Sequence, residues 1–240
     1  MNYRTFNVNE VASAAKDLLP HAGTSILILL AALAGGILMG LLLTFLLHAR
    51  SPVLSLIARI YLRVLRGAPA VVLLLLVFYG LPVLFSLIGI GTLTQTNRLF
   101  AVILTFALMA SAQMANVFTA AYGAIPKNQL EAAKAVGYTV RNRFFHVWLP
   151  QGLRLALPNL ANTATWLLKE GAVAYTIGVL DLVGHAQLRI SSQYGGGAVE
   201  TYTALALIFF VLIRLIEVLF HGLERRASVH LVKGAGSGGR

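Results

Sequence analysis

Five stretches of this chain are apolar for long enough to cross a membrane, and that limits the fold more than any other feature. A helix needs about 20 successive apolar residues to span the hydrocarbon of a bilayer. Residues 26–47 and 70–90 carry no charge. Residues 99–122 hold only Gln113 and Asn116 as strongly polar groups. The stretch 155–180 is interrupted by Lys169 and Glu170, and 201–220 contains Arg214 and Glu217. Only 11% of the residues are charged and 58% are hydrophobic, against roughly 25% charged in a soluble domain. The expected fold is all-α and integral to the membrane, with five spanning helices in one domain over 1–232.

The net charge of +11 is placed rather than spread. Arg50, Arg59, Arg63 and Arg66 lie between the first two runs, and Lys127, Lys134, Arg141, Arg143 and Arg154 between the third and fourth. Arg225, Arg226, Lys233 and Arg240 follow the fifth. The alternate connections hold Arg98 and Arg189, balanced by Asp181 and Glu200. This asymmetry is the positive-inside pattern, with the N-terminus outside and the C-terminus in the cytosol. The basic balance therefore speaks for membrane topology and not for nucleic acid. Arg4, Glu10, Lys16 and Asp17 precede a first run too long for a secretory signal, so no removable leader is expected. Without cysteine there is no disulfide, iron–sulfur cluster or thiolate zinc site. The six histidines show no ligand spacing, and no metal site is expected.

Within the spans, Ala32, Gly36 and Gly40 form a small-residue ladder suited to close helix approach, within one subunit or between two. Residues 51–67 begin with Ser51 and Pro52, a cap and first-turn pair. They set Arg59, Arg63 and Arg66 on one face, which reads as an amphipathic helix along the membrane surface. Gly80 and Pro82 mark a kink or a helix end. In the fourth span Asn159, Asn162, Thr163, Trp166, Lys169 and Glu170 recur every three or four residues and make one polar stripe. Charges at that depth must face protein or water, so a solute pathway is expected, an interhelix salt bridge being the alternative. Gln113, Asn116 and Thr119 give the third span a second polar edge. Arg214 and Glu217 read as a structural pair. Residues 233–240 have linker composition and are expected to form a flexible tail.

The connection over 123–154 has structure of its own. Pro126 opens a helix, "KNQLEAAKAV" continues it in strong helix formers, and Gly137 stops it. Thr139 then caps a second short helix carrying Phe144, Phe145, Val147 and Trp148, with Pro150 expected to end it. Ala132, Ala133 and Ala135 keep the first helix narrow, so the pair can present a compact knob.

The spacing in this connection resembles the EAA loop of bacterial ABC importer permeases: EAA, three residues, G, nine residues, I, one residue, LP. Here it reads Glu131, Ala132, Ala133, then Gly137, then Val147 in the isoleucine position, then Leu149 and Pro150. "RGAPAVVLLLLVFYGLP" (66–82), "LKEGAVAYTIGVLDL" (168–182) and "LERR" (223–226) are similar to stretches of the polar amino acid branch of that family. The chain departs from the branch at Asn116 and Thr119, where an acidic residue and an arginine are usual. It departs again at Leu73, at Asn128-Gln129 and at Glu170-Gly171-Ala172.

The resemblance implies a permease subunit of an ATP-driven importer for a polar amino acid or related small solute in the bacterial cytoplasmic membrane. A second, identical or similar permease, two ABC ATPase subunits and an extracytoplasmic solute-binding protein would be its partners, with the lipid bilayer around it. Glu131, Ala132, Ala133, Gly137, Leu149 and Pro150 would couple to the ATPase, and ATP and magnesium would sit on that partner. This chain would bind no cofactor and, having no GxxxxGK[ST], would not itself be an ATP hydrolase. Gln113, Asn116, Asn162, Lys169 and Glu170 are the candidates to line the pathway. A nucleotide-independent channel or scaffold would account for the spans but not for the EAA spacing.

Overall fold

The computed structural model describes residues 6–89 and 97–235, with side chains placed through Arg226. The described residues are helical with no strand. The helices are α1 (Val8–Leu18), α2 (Ala22–Leu47), α3 (Pro52–Gly67), α4 (Ala70–Leu87) and α5 (Arg98–Gly123), then α6 (Lys127–Ala135), α7 (Val140–Arg143), α8 (Leu149–Glu170), α9 (Leu182–Ser192) and α10 (Ala198–Ala235). Short 3-10 turns follow α1 and α8, and a wide π turn, Phe144–Trp148, joins α7 to α8.

Four helical stretches are long and apolar enough to cross a membrane: Val8–Leu47, Ala70–Leu87, Arg98–Gly123 and Ala198–Arg226. The expected fourth span differs. Its α-helix ends at Glu170 and gives way to the 3-10 segment Gly171–Ile177, because Gly171 and the β-branched Val173 weaken the helix just after the charged pair. At about 1.5 Å per residue, α8 is still long enough to traverse the bundle, but it is more polar than the others. α10 runs as helix to Ala235, into the region expected to be a tail, and 236–240 lie outside the described residues, as does residue 90 of the second run.

α2 and α5 form the most extensive helix pair. Ala32, Gly36 and Gly40 of the small-residue ladder are buried, and Gly36 faces Ala110 of α5 while Gly40 faces Met114. The ladder is thus used inside the chain. Around this pair, Leu74 of α4, Phe106 of α5 and Leu167 of α8 close one apolar core, and Met114, Phe118, Ala156 and Leu160 close another nearer the 123–154 connection. α4 continues through Gly80 and Pro82 to Leu87, so neither residue ends it.

α3 packs against α2 and α5. Ser55 donates to the carbonyl of Leu47, the last residue of α2, at 3.3 Å. Two turns later the Tyr61 hydroxyl pairs with that of Ser111 at 2.8 Å. Ser111 stands about 18 Å along α5 from Gly123, taking 1.5 Å per residue. Arg66 and the break at Gly67–Pro69 therefore stand level with the middle of α5, with Arg66 exposed. Ser55, Ala58 and Leu62 bury one face of α3 against its neighbours, while Arg59 and Arg63 stay exposed, the amphipathic division read from the sequence.

At the far end of the bundle, α1 and α9 pack on the start of α10. Asn7 caps α1 by accepting from the Asn9 N–H at 2.9 Å, and its own N–H donates to Glu200 Oε1 at 3.1 Å. Asp181, 1% exposed, caps α9 by accepting from the Gly184 N–H at 2.9 Å, and Ser25 of α2 donates to its second oxygen at 3.4 Å. Burial pushes its carboxyl above the usual range, opposed by these hydrogen bonds. Beside it the rings of His21 and His185 stack at 3.2 Å, and Arg189 pairs with Asp17.

Candidate functional site: an exposed knob and a polar cavity

α6 starts after Pro126, whose extended backbone (ψ 129°) cannot continue the helix of α5. It stops at Gly137 with φ +83°, where the Tyr138 N–H reaches the Ala133 carbonyl and the Gly137 N–H reaches Lys134, each at 3.0 Å. This left-handed cap satisfies carbonyls that would otherwise be orphaned, and glycine adopts it without steric cost. Thr139 caps α7 by accepting from the Asn142 N–H at 3.2 Å. Both caps were legible in the sequence.

Pro150 does not end the second helix. The wide turn over 144–148 carries the chain on, with the Leu149 N–H bonded to the Phe144 carbonyl, and Pro150 falls in the first turn of α8. A proline ring clashes with the carbonyl four residues back, here that of His146, and the extra residue in a π turn relieves that contact. Helix therefore runs from Val140 to Glu170 without a loop. A side-chain bond from Gln151 Nε2 to Gln129 Oε1 at 2.8 Å ties α6 to α8.

The knob's outer surface is open. Glu131 and Ala132 are exposed and Ala133 is buried, while Leu149 is half-buried and Pro150 exposed. Val136 and Val140 are 74% and 75% exposed at the tip, with Phe145 also uncovered. These bare apolar side chains stand beside the charged face of α6.

A polar cavity of about 490 Å³ opens between the α3–α4 break, α5 and α8, lined by Arg66, Ala68 and Pro69, Met109, Gln113 and Asn116, and Trp166 and Glu170. Its size falls in the range of about 300–1,000 Å³ usual for small-molecule sites. Of the five expected pathway residues it gathers Gln113, Asn116 and Glu170. Asn162 and Lys169 are exposed on other faces of α8 and line no part of it. Arg66 is the residue that sequence reasoning assigned elsewhere: its charge counted toward topology, although it stands in the very "RGAP" stretch singled out above. One guanidinium, one carboxylate and two carboxamides around an aromatic wall can hold a small zwitterion by its two charged ends. Arg214 and Glu217 form the expected pair at 2.9 Å on the surface of α10. No cluster of three metal-ligating side chains occurs among the described residues.

Residues 32–229 match the family described as binding-protein-dependent transport system inner membrane component. The chain belongs to that family: it is an ABC transporter permease. It is 32% identical to the L-cystine transport system permease protein TcyL of Bacillus subtilis over 93% of this chain and 92% of that one. Identity to the histidine/lysine/arginine/ornithine transport system permease protein HisQ of Escherichia coli is 31%, covering 70% and 75%. The fold superposes on a crystal structure of an amino acid ABC transporter with histidines (TM-score 0.79, 27% identity, 93% of this chain and 100% of that one). It also superposes on the MetNI methionine transporter in inward-facing form (TM-score 0.70, 21% identity, 88% and 96%), a likeness of fold alone.

Proposed function

We propose that this chain is one of two permease subunits in an importer that takes up a polar amino acid or a close relative, driven by ATP hydrolysed on a separate subunit. One observation carries the coupling part: the knob bearing Glu131 to Gly137 is exposed, α6 ends in the Gly137 cap, and from Val140, after the Thr139 cap, helix runs unbroken into α8. Force on such a knob reaches the cavity-lining end of α8 as a rigid-body tilt, since close-packed helices switch between arrangements and do not bend continuously. Glu131, Ala132, Ala133, Gly137, Leu149 and Pro150 form the contact with the ATPase, where ATP and magnesium reside. This chain supplies no nucleotide site and binds no cofactor.

The solute passes through the cavity of Arg66, Gln113, Asn116 and Glu170, delivered by a binding protein on the opposite side of the membrane. The basic connections support an orientation with the knob and C-terminus in the cytosol and the N-terminus outside. The relatives transport L-cystine or basic amino acids by name, which supports an amino acid as cargo.

The direct test is gentle solubilisation from the native membrane and identification of the proteins that accompany the chain. A P-loop ATPase present with wild type and lost with Glu131→Arg supports the reading. A chain that purifies alone, under conditions that hold other membrane complexes together, refutes it.

A further inference from the structure

A second cavity, of about 180 Å³, lies where the knob meets the bundle, apart from the polar one. Leu41 and Phe45 of α2, Tyr122 at the end of α5, and Phe144 and Trp148 of the π turn build it. Two polar groups of its wall are engaged with backbone: Thr44 donates to the Gly40 carbonyl at 2.8 Å, and His48 Nδ1 meets the Thr44 carbonyl at 2.9 Å. The rest of the wall is predominantly hydrocarbon and aromatic, a lining that favours an apolar guest over water.

The surroundings have the opposite character. Segments 41–50, 119–126 and 139–154 carry Arg50, Arg141, Arg143 and Arg154 and not one carboxylate. Arg143 has no ion-pair partner among the described residues. Its Nε and the Nε1 of Trp148, the latter on the ring stacked with Phe144, are buried N–H donors with no acceptor. An apolar slot beside unpaired arginines fits one chemistry in particular. A free phosphate has no use for the slot, and a neutral lipid has no use for the arginines.

We propose that this cavity takes the acyl chain of an anionic phospholipid whose head group is held by Arg143 and Arg50. Basic pockets between helices bind anionic head groups in this way, and aromatic rings favour the same depth. Seated there, the chain fills the gap between the ends of α2 and α5 and the π turn. It thereby fixes the angle at which the knob leaves the bundle. The site is independent of the solute carried.

The chain has two tryptophans, so Trp166→Phe leaves Trp148 as the sole reporter for a fluorescence experiment that needs no transport. The full chain is reconstituted into phosphatidylcholine–phosphatidylglycerol vesicles in which one lipid or the other carries bromine on an acyl chain. Brominated phosphatidylglycerol should quench Trp148 roughly fivefold more strongly than brominated phosphatidylcholine, the factor one arginine near an anionic surface supplies. That excess should vanish in Arg50→Gln/Arg143→Gln. Leu41→Phe, which fills the slot and leaves the arginines in place, should lower quenching by both lipids, with helix content checked by circular dichroism. Equal quenching by the two lipids, meaning boundary lipid only, overturns the proposal. So does an excess that survives the double replacement, or quenching that Leu41→Phe leaves unchanged.

Discussion

Gly40 of α2 lies so close to Met114 of α5 that a Cβ built on the glycine would stand 2.5 Å from the methionine's own Cβ. Gly36 meets the Cβ of Ala110 at the same 2.5 Å, with backbone atoms of Ala110 and Ser111 just beyond. In lipid there is little hydrophobic drive to bring two apolar helices together, so dispersion at close approach must do so, and only small residues permit it. Gly36→Val and Gly40→Val should each cost about 1–3 kcal/mol or more by overpacking, read as a fall in the thermal unfolding midpoint in detergent. Gly80→Ala, where an added Cβ meets nothing within 4 Å, is the control. Valine variants as stable as that control would show that the α2–α5 contact is looser than described.

Gly137 holds φ +83° with open space around it, so a substitution there is opposed by backbone strain alone. Gly137→Ala should cost about 1–2 kcal/mol locally, enough to unwind the last turn of α6 while the bundle keeps its unfolding midpoint. Uptake and ATPase association should fall together. Full ATPase association in Gly137→Ala would mean that the cap does not shape the docking surface.

Asp181 separates capping from charge. Its carboxyl is raised above the ordinary 3.8, chiefly by burial. The folded protein therefore prefers the protonated form. That contribution is full below about pH 3.8 and is lost as pH rises through the folded-state value. An asparagine side chain would cap α9 as well as aspartate does without a buried charge. Asp181→Asn should match or exceed wild type in unfolding midpoint at neutral pH. Asp181→Ala, which strands the Gly184 N–H and the Ser25 hydroxyl, should lose about 1–3 kcal/mol. If the two variants behave alike, the hydrogen bonds contribute nothing.

His185 works in the other direction. Burial, and then the charge of the stacked His21, hold it below the ordinary 6.5. Above that value both folded and unfolded chains are neutral here and stability is full. As pH falls through about 6.5 the unfolded chain takes the proton first, so stability declines until the folded-state value is passed. Unfolding midpoints between about pH 8 and 5 should show this decline, and His21→Gln should flatten it. An unchanged slope in His21→Gln would rule out the pair as its source.

Glu170 and Arg66 face one cavity, and their removal should affect transport without dismantling the assembly. Loss of one charged hydrogen bond to substrate is worth about 1.5–3 kcal/mol. Glu170→Gln and Arg66→Gln should therefore raise the half-saturating solute concentration roughly tenfold to a hundredfold, with ATPase still bound. Lys169→Gln, outside the cavity, should leave it near wild type. A larger effect at Lys169 than at Glu170 would relocate the pathway.

Much of this was legible in the residues because its causes are local. Hydrocarbon demands long apolar runs, and α2, α4, α5 and α10 answer to them. Pro126, Gly137 and Thr139 act on their own turns, so the knob's caps could be read directly. The EAA spacing, a pattern along the chain, pointed to the family. What the tertiary structure decided depends on how helices are rotated and inclined against one another, which no single segment encodes. That geometry turned the α2 ladder inward onto α5. It packed α3 against α5 so that Arg66, which a linear reading places with the topological charges, reaches the cavity, and it turned Asn162 and Lys169 away while Glu170 faced in. It buried Asp181, which in the sequence is one acid in a short connection. Pro150 is the case between: its breaking tendency is local, but the π turn that absorbs it forms where α7 and α8 must join as one rigid limb.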